Sequence, residues 1–199
     1  EDYAIRLGKP LIIIFGLGSA NGSRTGASPL AEMMENLTKK PNISVITCMG
    51  NEANNKCHYK GTVMSALVPD VMEINVDGTG KGFTMEIWAD SLDILSVSIE
   101  SPSGEYVPRI PARMGASMEY TFLYEGSTVT VDYQITENVA GMEVIFVRLK
   151  TPVEGTWKFY IYSLTNIKGS YNAWLPLKQF SGQDIYFLKA DPDTTLTVP

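Results

Sequence analysis

The segment Met49-Gly50-Asn51-Glu52 carries the residue types with the most specific chemistry in this sequence. It directly follows residues 43–48, an apolar run that predicts a β-strand. An asparagine at the carboxyl end of a parallel strand, preceded by glycine, can direct its side-chain amide at a developing oxyanion. The pattern therefore makes Asn51 a candidate donor to the intermediate of an acyl-transfer reaction.

The remaining nucleophile, metal and cofactor signals are incomplete. The single histidine, His58, would have to serve any Ser-His-Asp triad within this chain, and no G-x-S-x-G motif accompanies it. His58 lies in a polar stretch, and we interpret it as a structural or exposed residue. With Cys48 and Cys57 it forms a set that is one ligand short of a zinc site. The spacing also allows Cys48 and Cys57 to pair, although we do not predict a disulfide.

Two further patterns have simpler explanations. Asp90 with Asp93, and Asp191 with Asp193, could contribute to a Ca²⁺ site, but turns use aspartate far more often for local hydrogen bonds. The glycines of residues 16–22 follow an apolar run, yet the next helix begins only near Ser28, so they do not cradle a pyrophosphate. We therefore predict no cofactor and no metal.

Composition excludes several classes of partner. The chain has 199 residues, 44% of them hydrophobic, which is typical of a globular protein. Its 16 Lys and Arg against 22 Asp and Glu give a net charge of −6, with no basic cluster. A nucleic acid or an anionic membrane surface is therefore not an expected partner. The longest apolar run, Leu11–Phe15, is too short to cross a bilayer.

The elements that must position Asn51 form a βαβ pattern. A helix is expected to end at Gly8, and residues 11–15 predict a strand buried on both faces of a parallel sheet. Ser28 and Pro29 predict a helix start, with apolar residues following at helical spacing. Residues 43–48 complete the unit as a second strand.

After about Gly61 the periodicity changes to two. Four runs alternate strictly and are separated by turn residues, as in Ser101-Pro102-Ser103-Gly104; their apolar positions are Phe83/Met85/Ile87, Leu95/Val97/Ile99, Val129/Val131/Tyr133 and Trp157/Phe159/Ile161. Roughly eight strands are expected here, which predicts a β-sandwich or jelly roll. The aromatic pairs Tyr160/Tyr162 and Tyr171/Trp174 suit either sugar stacking or core filling.

Several segments of the chain resemble one protein family. They are residues 9–18 with a following helix and strand, Gly50-Asn51-Glu52, residues 57–61, residues 99–105, Gly155-Thr156-Trp157, Trp174-Leu175-Pro176 and residues 191–199. These are similar to the subtilisin-like serine proteases, and within them to the Csp-type germination proteases of spore-forming bacteria. The family carries a jelly roll inserted after its Gly-Asn-Glu element. The resemblance spans essentially the whole chain.

The resemblance implies a mainly β fold in three parts. Residues 1–61 would be a partial α/β segment of the subtilisin-like core, residues 62–190 an inserted jelly-roll β-sandwich, and residues 191–199 a strand returning to the core. Asn51 would be the oxyanion-hole asparagine, and Leu17 and Gly18 would bind the substrate backbone. Phe15-Gly16 and Cys48-Met49 depart from the family's small residues at those places.

The resemblance also sets expectations about activity. The catalytic Asp and His would precede this chain and the Ser would follow it, so the chain alone would not be catalytic. The abrupt start and end of the sequence agree with a piece of a larger protein. The partner would be a protein or peptide substrate, and the location the bacterial cytoplasm or the spore. The alternative is a pseudoprotease, or a β-sandwich that binds protein or glycan.

Overall fold

The structure is a computed structural model that describes residues 2–89, 93–135, 141–164 and 169–192. These residues form two compact units, which meet in the sequence between Asn51 and Glu52. We predicted the boundary near Gly61. The strand that contains Gly61 pairs within the second unit, so the change of unit comes about ten residues earlier. Of the returning strand predicted over residues 191–199, only residues 191 and 192 are described, and the rest lies outside the described residues.

The first unit contains two helices and two parallel strands: α1 (Asp2–Leu7), β1 (Leu11–Phe15), α2 (Pro29–Thr38) and β2 (Ile43–Thr47). Helix α1 ends as predicted, since Gly8 has a φ of +59° and its amide donates to the Ile5 carbonyl. Helix α2 also begins as predicted, because Ser28 Oγ accepts from the Ala31 amide at 3.1 Å. The βαβ pattern is thus confirmed.

Burial on both faces, which we predicted for β1, is wrong. Leu11, Ile13 and Phe15 are half-buried, whereas Ile12 is 62% exposed and Ile14 is 72% exposed. Helix α2 packs against β2. Successive side chains of a strand point to opposite faces, so the alternation shows that one face of β1 is covered and the other is open.

The second unit is a β-sandwich of eleven described strands. They are β3 (His58–Val63), β4 (Asp70–Asp77), β5 (Gly82–Ala89), β6 (Leu95–Glu100), β7 (Tyr106–Ile110), β8 (Ser117–Thr121), β9 (Thr128–Ile135), β10 (Glu143–Lys150), β11 (Gly155–Ser163), β12 (Gly169–Trp174) and β13 (Asp184–Phe187). A 3₁₀ turn, Ala53–Asn55, and a short helix, α3 (Lys178–Ser181), complete the unit.

Two antiparallel sheets make up this sandwich. The order in the first is β3-β12-β5-β10-β9-β8, and in the second β13-β4-β11-β6-β7. The four alternating runs identified in the sequence are β5, β6, β9 and β11, and the apolar residues predicted to point inward are all at most 6% exposed. The mainly β class and the sandwich preceded by an α/β segment are therefore confirmed.

Short turns join these strands where the sequence indicated them. Gly104 has a φ of +88°, and its amide donates to the Ser101 carbonyl at 2.9 Å, which closes the turn between β6 and β7. Among the residues described, the helices are all too short or too polar to span a bilayer.

Candidate functional site

The candidate site lies where the two parallel strands of the first unit end. Phe15 and Thr47 are register partners, and the Cys48 amide donates to the Phe15 carbonyl at 3.2 Å. Leu17 and Gly18 therefore follow β1, and Asn51 follows β2, at the same carboxyl edge. Carboxyl edges of parallel strands are where α/β folds place their ligands.

A glycine turns the chain immediately before Asn51. Gly50 has a φ of +89°, a conformation that side chains with a Cβ rarely adopt. Asn51 follows in a bend and is exposed, so its amide can reach a ligand. Leu17 is 76% exposed and Gly18 is half-buried. The three residues that we predicted for the site thus share one solvent-accessible edge.

The segment after Asn51 is held by short-range hydrogen bonds. The Asn55 amide donates to the Glu52 carbonyl at 2.8 Å, and the Asn55 side chain donates to the Glu52 carboxylate. Lys56 then adopts a left-handed conformation with a φ of +52°. These contacts constrain the backbone that leads away from Asn51.

His58 has a structural role. It lies on β3, is only 4% exposed, and shares a hydrogen bond of 3.0 Å between Nε2 and Asn172 Oδ1. Its ring stacks on Trp174 with 4.9 Å between the ring centroids. A histidine buried in this way cannot contact a substrate. This agrees with the interpretation of His58 as a structural residue.

Both cysteines are free thiols. Cys57 is buried, and burial together with the charges of Glu52 and Asp184 raises the pKa of its thiol to about 11. It is therefore protonated at neutral pH. In the described part of the chain, no cluster of three or more His, Cys, Asp or Glu side chains could hold a metal ion. Asp90 and Asp193 are outside the described residues.

The sugar-stacking interpretation of Tyr171 and Trp174 is wrong. Tyr171 has no exposed surface and Trp174 is 8% exposed. Tyr171 points between the two sheets, whereas Trp174 packs with Trp88 and Val144. Both rings are therefore packed against other side chains and offer little surface to a ligand.

Tyr160 and Tyr162 instead belong to a polar tyrosine cluster on strands β6, β7 and β11. Tyr160 donates to Glu100 Oε2 at 2.5 Å, and Tyr106 donates to Ser98 Oγ at 2.8 Å. The Tyr106 and Tyr160 rings meet edge to face, with 5.9 Å between their centroids. Sequence reasoning missed Tyr106 and Glu100, because only the pairing of β6 with both β7 and β11 brings them to Tyr160.

Electrostatics in this tyrosine cluster follow its hydrogen bonds. Donation by Tyr160 and Lys158 holds the pKa of Glu100 below its usual value, since both bonds favour the charged carboxylate. The same bond, with burial, raises the pKa of Tyr160 to about 12. The hydroxyl of Tyr160 therefore stays protonated and serves as a fixed donor.

Comparison with known proteins identifies one fold relationship. No family model and no curated protein matches this sequence. Among solved structures, the chain is similar to the CspB protease of Clostridium perfringens, with a TM-score of 0.84 and 22% sequence identity. The likeness covers 100% of this chain and 41% of that protein, so this chain spans well under half of its structural neighbour. It shares the fold of that part of the CspB protease.

Proposed function

We propose that this chain is the central segment of a subtilisin-like serine endopeptidase of the Csp type. In this proposal Asn51 is the oxyanion donor, and the β-sandwich is a non-catalytic insert that rigidifies or regulates the core. The observation that carries the proposal is the fold likeness to the CspB protease, which extends over the whole chain. The protein or peptide substrate would bind through the rest of the protease.

The proposed chemistry of Asn51 follows from its position. Attack of a serine on a peptide carbonyl places negative charge on the carbonyl oxygen, and a side-chain amide can donate a hydrogen bond to that oxygen. Asn51 is exposed at the carboxyl edge of β2, where such a donor would be needed. Removing one donor of this kind from a serine protease lowers kcat by about 10²- to 10³-fold.

Leu17 and Gly18 would contribute in a different way. They continue from β1 at the same edge, and Leu17 is 76% exposed. An extended substrate can add its backbone to such a segment and gain main-chain hydrogen bonds. These residues would therefore align the scissile bond, while Asn51 stabilises the charge that develops on it.

The open face of β1 gives further support. Ile12 and Ile14 are largely exposed, and apolar side chains of a strand are normally covered in α/β proteins. A larger α/β core, to which this unit contributes two strands, would cover them. The catalytic Asp, His and Ser would belong to that remainder, and the present chain would be inactive alone.

The role of Asn51 can be tested in the complete protein that contains this chain. Asn51→Ala should lower kcat for a peptide substrate by about 10²- to 10³-fold with little change in KM, because the bond forms only in the transition state. Asn54→Ala is the matched control, since Asn54 is also an exposed asparagine, only three residues away. If Asn51→Ala keeps the kcat of Asn54→Ala and of the unsubstituted protein, Asn51 is not part of the active site.

The protease assignment itself depends on the flanking sequence. Sequencing the gene on both sides of the segment that encodes this chain should reveal an Asp motif and a His-containing motif upstream and a Gly-Thr-Ser motif downstream. An intact set supports a protease. If one of the three is substituted, the protein is a pseudoprotease, and Asn51 loses its proposed role.

The tyrosine cluster favours one alternative function, in which the sandwich binds a glycan. Tyr106 is 46% exposed, and hydrogen bonds to Ser98 and Glu100 hold Tyr106 and Tyr160 in place. Fixed aromatic rings beside polar groups are suited to sugar rings. A glycan array probed with this chain and with its Tyr106→Ala variant tests this, and binding that is lost in the variant would support the alternative.

A further inference from the structure

Strand β8, Ser117–Thr121, forms an open edge of the six-stranded sheet. It pairs with β9 on one side, and it is the last strand in the order of that sheet. Ser117, Met118, Glu119 and Thr121 are exposed, and Tyr120 is half-buried. An edge strand of this kind presents unpaired backbone groups to another chain.

The alternation of hydrogen bonds between β8 and β9 identifies which backbone groups of β8 are unpaired. Phe122 donates to the Ser127 carbonyl, and Tyr133 donates to the Ala116 carbonyl. In an antiparallel pair, residues alternate between bonded and non-bonded positions. Even-numbered residues of β8 therefore bond to β9, whereas the N–H and C=O groups of Ser117, Glu119 and Thr121 point away from the sheet.

The other three edge strands of the described sandwich carry features that discourage pairing. Strand β7 contains Pro108, and its register with β6 is irregular. Strand β3 exposes Lys60, and β13 has only four residues. Proline, bulges, exposed lysine and short length are the usual protections of sheet edges. Strand β8 has five residues without proline, lysine or a register shift.

An apolar cavity of about 300 Å³ opens beside the first residues of β8. Val131 and Tyr133 line its inner part and are buried, while Pro111 and Met118 line its exposed part. The exposed Arg113 also lines the cavity. Because Arg113 is cationic, the cavity suits an apolar side chain and disfavours a lysine or arginine.

We propose that β8 binds an extended peptide of another protein. The peptide adds as a further antiparallel strand, like the other strands of this sheet, and places an apolar side chain in this cavity and a cationic side chain opposite Glu119. Glu119 lies on the outer face, its side chain is 59% exposed, and its carboxylate is 3.8 Å from Lys150 Nζ. A cation directly opposite a carboxylate stabilises a strand pair. The net charge of −6 also favours a basic partner. This inference does not depend on the protease proposal.

A second copy of this chain is a poorer occupant of the same edge. Two β8 strands that pair antiparallel about their middle residue would place Glu119 opposite Glu119. Like charges directly opposite destabilise a strand pair, whereas a peptide with lysine or arginine at that position gains from it. The charge pattern therefore favours a heterologous peptide over self-association.

The proposal can be tested with the full chain and a defined probe, fluorescein-Thr-Val-Thr-Val-Lys-Val-Thr-Thr-amide. Its valines suit the cavity side and its lysine suits Glu119. Fluorescence anisotropy should show saturable binding that is about fivefold tighter than for the same peptide with glutamate in place of lysine. Glu119→Lys should reverse this preference, and its circular dichroism spectrum should match that of the unsubstituted chain.

Backbone methylation of the probe supplies the matched control. In this antiparallel pairing, the lysine and the threonines two residues from it direct their N–H groups toward β8, so N-methylation at these residues should abolish binding. N-methylation of the valines should preserve it, because their N–H groups point away. The proposal is overturned by absence of saturable binding up to about 1 mM, by equal affinity for both peptides, or by equal effects of the two methylation patterns. Dimerisation of the chain through β8, seen in sedimentation, would also overturn it.

Discussion

The hydroxyl of Tyr171 donates a hydrogen bond of 2.7 Å to Asp70 Oδ2 and so connects the two sheets of the sandwich, since β12 and β4 lie in different sheets. Tyr59 donates to the same oxygen at 3.0 Å. Burial, followed by the charge of Asp70, raises the pKa of both tyrosines well above the usual value. Both hydroxyls therefore remain donors at any physiological pH.

Replacing Asp70 should destabilise the sandwich. Asp70→Asn removes the charge that two buried hydroxyls bind, and hydrogen bonds to charged groups contribute about 1.5–3 kcal/mol. We expect urea unfolding to show a loss of about 2 kcal/mol. Asp184→Asn is the control, because Asp184 pairs with Lys178 at the surface and should change stability by less than about 1 kcal/mol. Equal losses would contradict this account.

Gly61 should tolerate no larger residue. A Cβ at this position would lie 2.5 Å from Asp70 Oδ2 and closer still to the Tyr171 ring. Tyr171 is fully buried and cannot move aside, so Gly61→Ala should lower the free energy of unfolding by at least about 2 kcal/mol. A Cβ at Gly16 meets no atom within 4 Å, and Gly16→Ala should therefore unfold at nearly the original temperature. Thermal denaturation of the two variants checks the contrast.

Glu143 should make the protein less stable as pH rises. It is 3% exposed, and its Oε2 accepts from the Leu95 amide at 2.6 Å. Burial raises its pKa from 4.5 to about 7, and the charge of Asp93 adds to this. The folded state then binds more protons than the unfolded state between these values, so stability falls from about pH 4.5 to 7 and stays low above.

Glu143→Gln provides the measurement. The neutral amide can still accept from Leu95 but carries no buried charge, so the variant should gain about 3 kcal/mol relative to the original chain at pH 8 and almost nothing at pH 4. Urea unfolding at both pH values gives the comparison. A gain that is the same at both pH values would show that the ionisation of Glu143 is not its source.

Tyr160 should control the ionisation of Glu100. The hydrogen bond from Tyr160 is the main reason that the pKa of Glu100 is lowered. A lowered folded-state pKa contributes stability above the unfolded-state pKa, and this contribution is lost as pH falls through the folded-state value. In Tyr160→Phe, NMR titration of the Glu100 carboxyl should show a higher pKa. Tyr162→Phe removes a hydroxyl that bonds to Ser98 and Tyr106 instead, and it should change the pKa of Glu100 much less.

Local pattern was sufficient for most of the secondary structure and for the position of Asn51. Ser28 and Pro29 specify the start of α2 through neighbouring atoms alone, and Gly8 specifies the end of α1. Alternation predicted the inward positions of β5, β6, β9 and β11, because strand geometry requires successive side chains to point to opposite faces. Leu17 and Gly18 were candidates through the family resemblance alone, and the parallel pairing of β1 and β2 places them at the same edge as Asn51.

Only the tertiary structure decides which face of each strand is buried, because alternation does not show this. Tyr160 and Tyr171 are the same residue type in similar alternating runs, yet Tyr160 lies on an outer face and Tyr171 lies between the sheets. Periodicity shows which residues share a face, but the pairing of distant strands selects the face that is buried. Tyr171 is inside because β12 pairs with β3, where Gly61 leaves room for its ring, and residues 61 and 171 are brought together only by folding. The open edge of β8 is decided in the same way, by strand order.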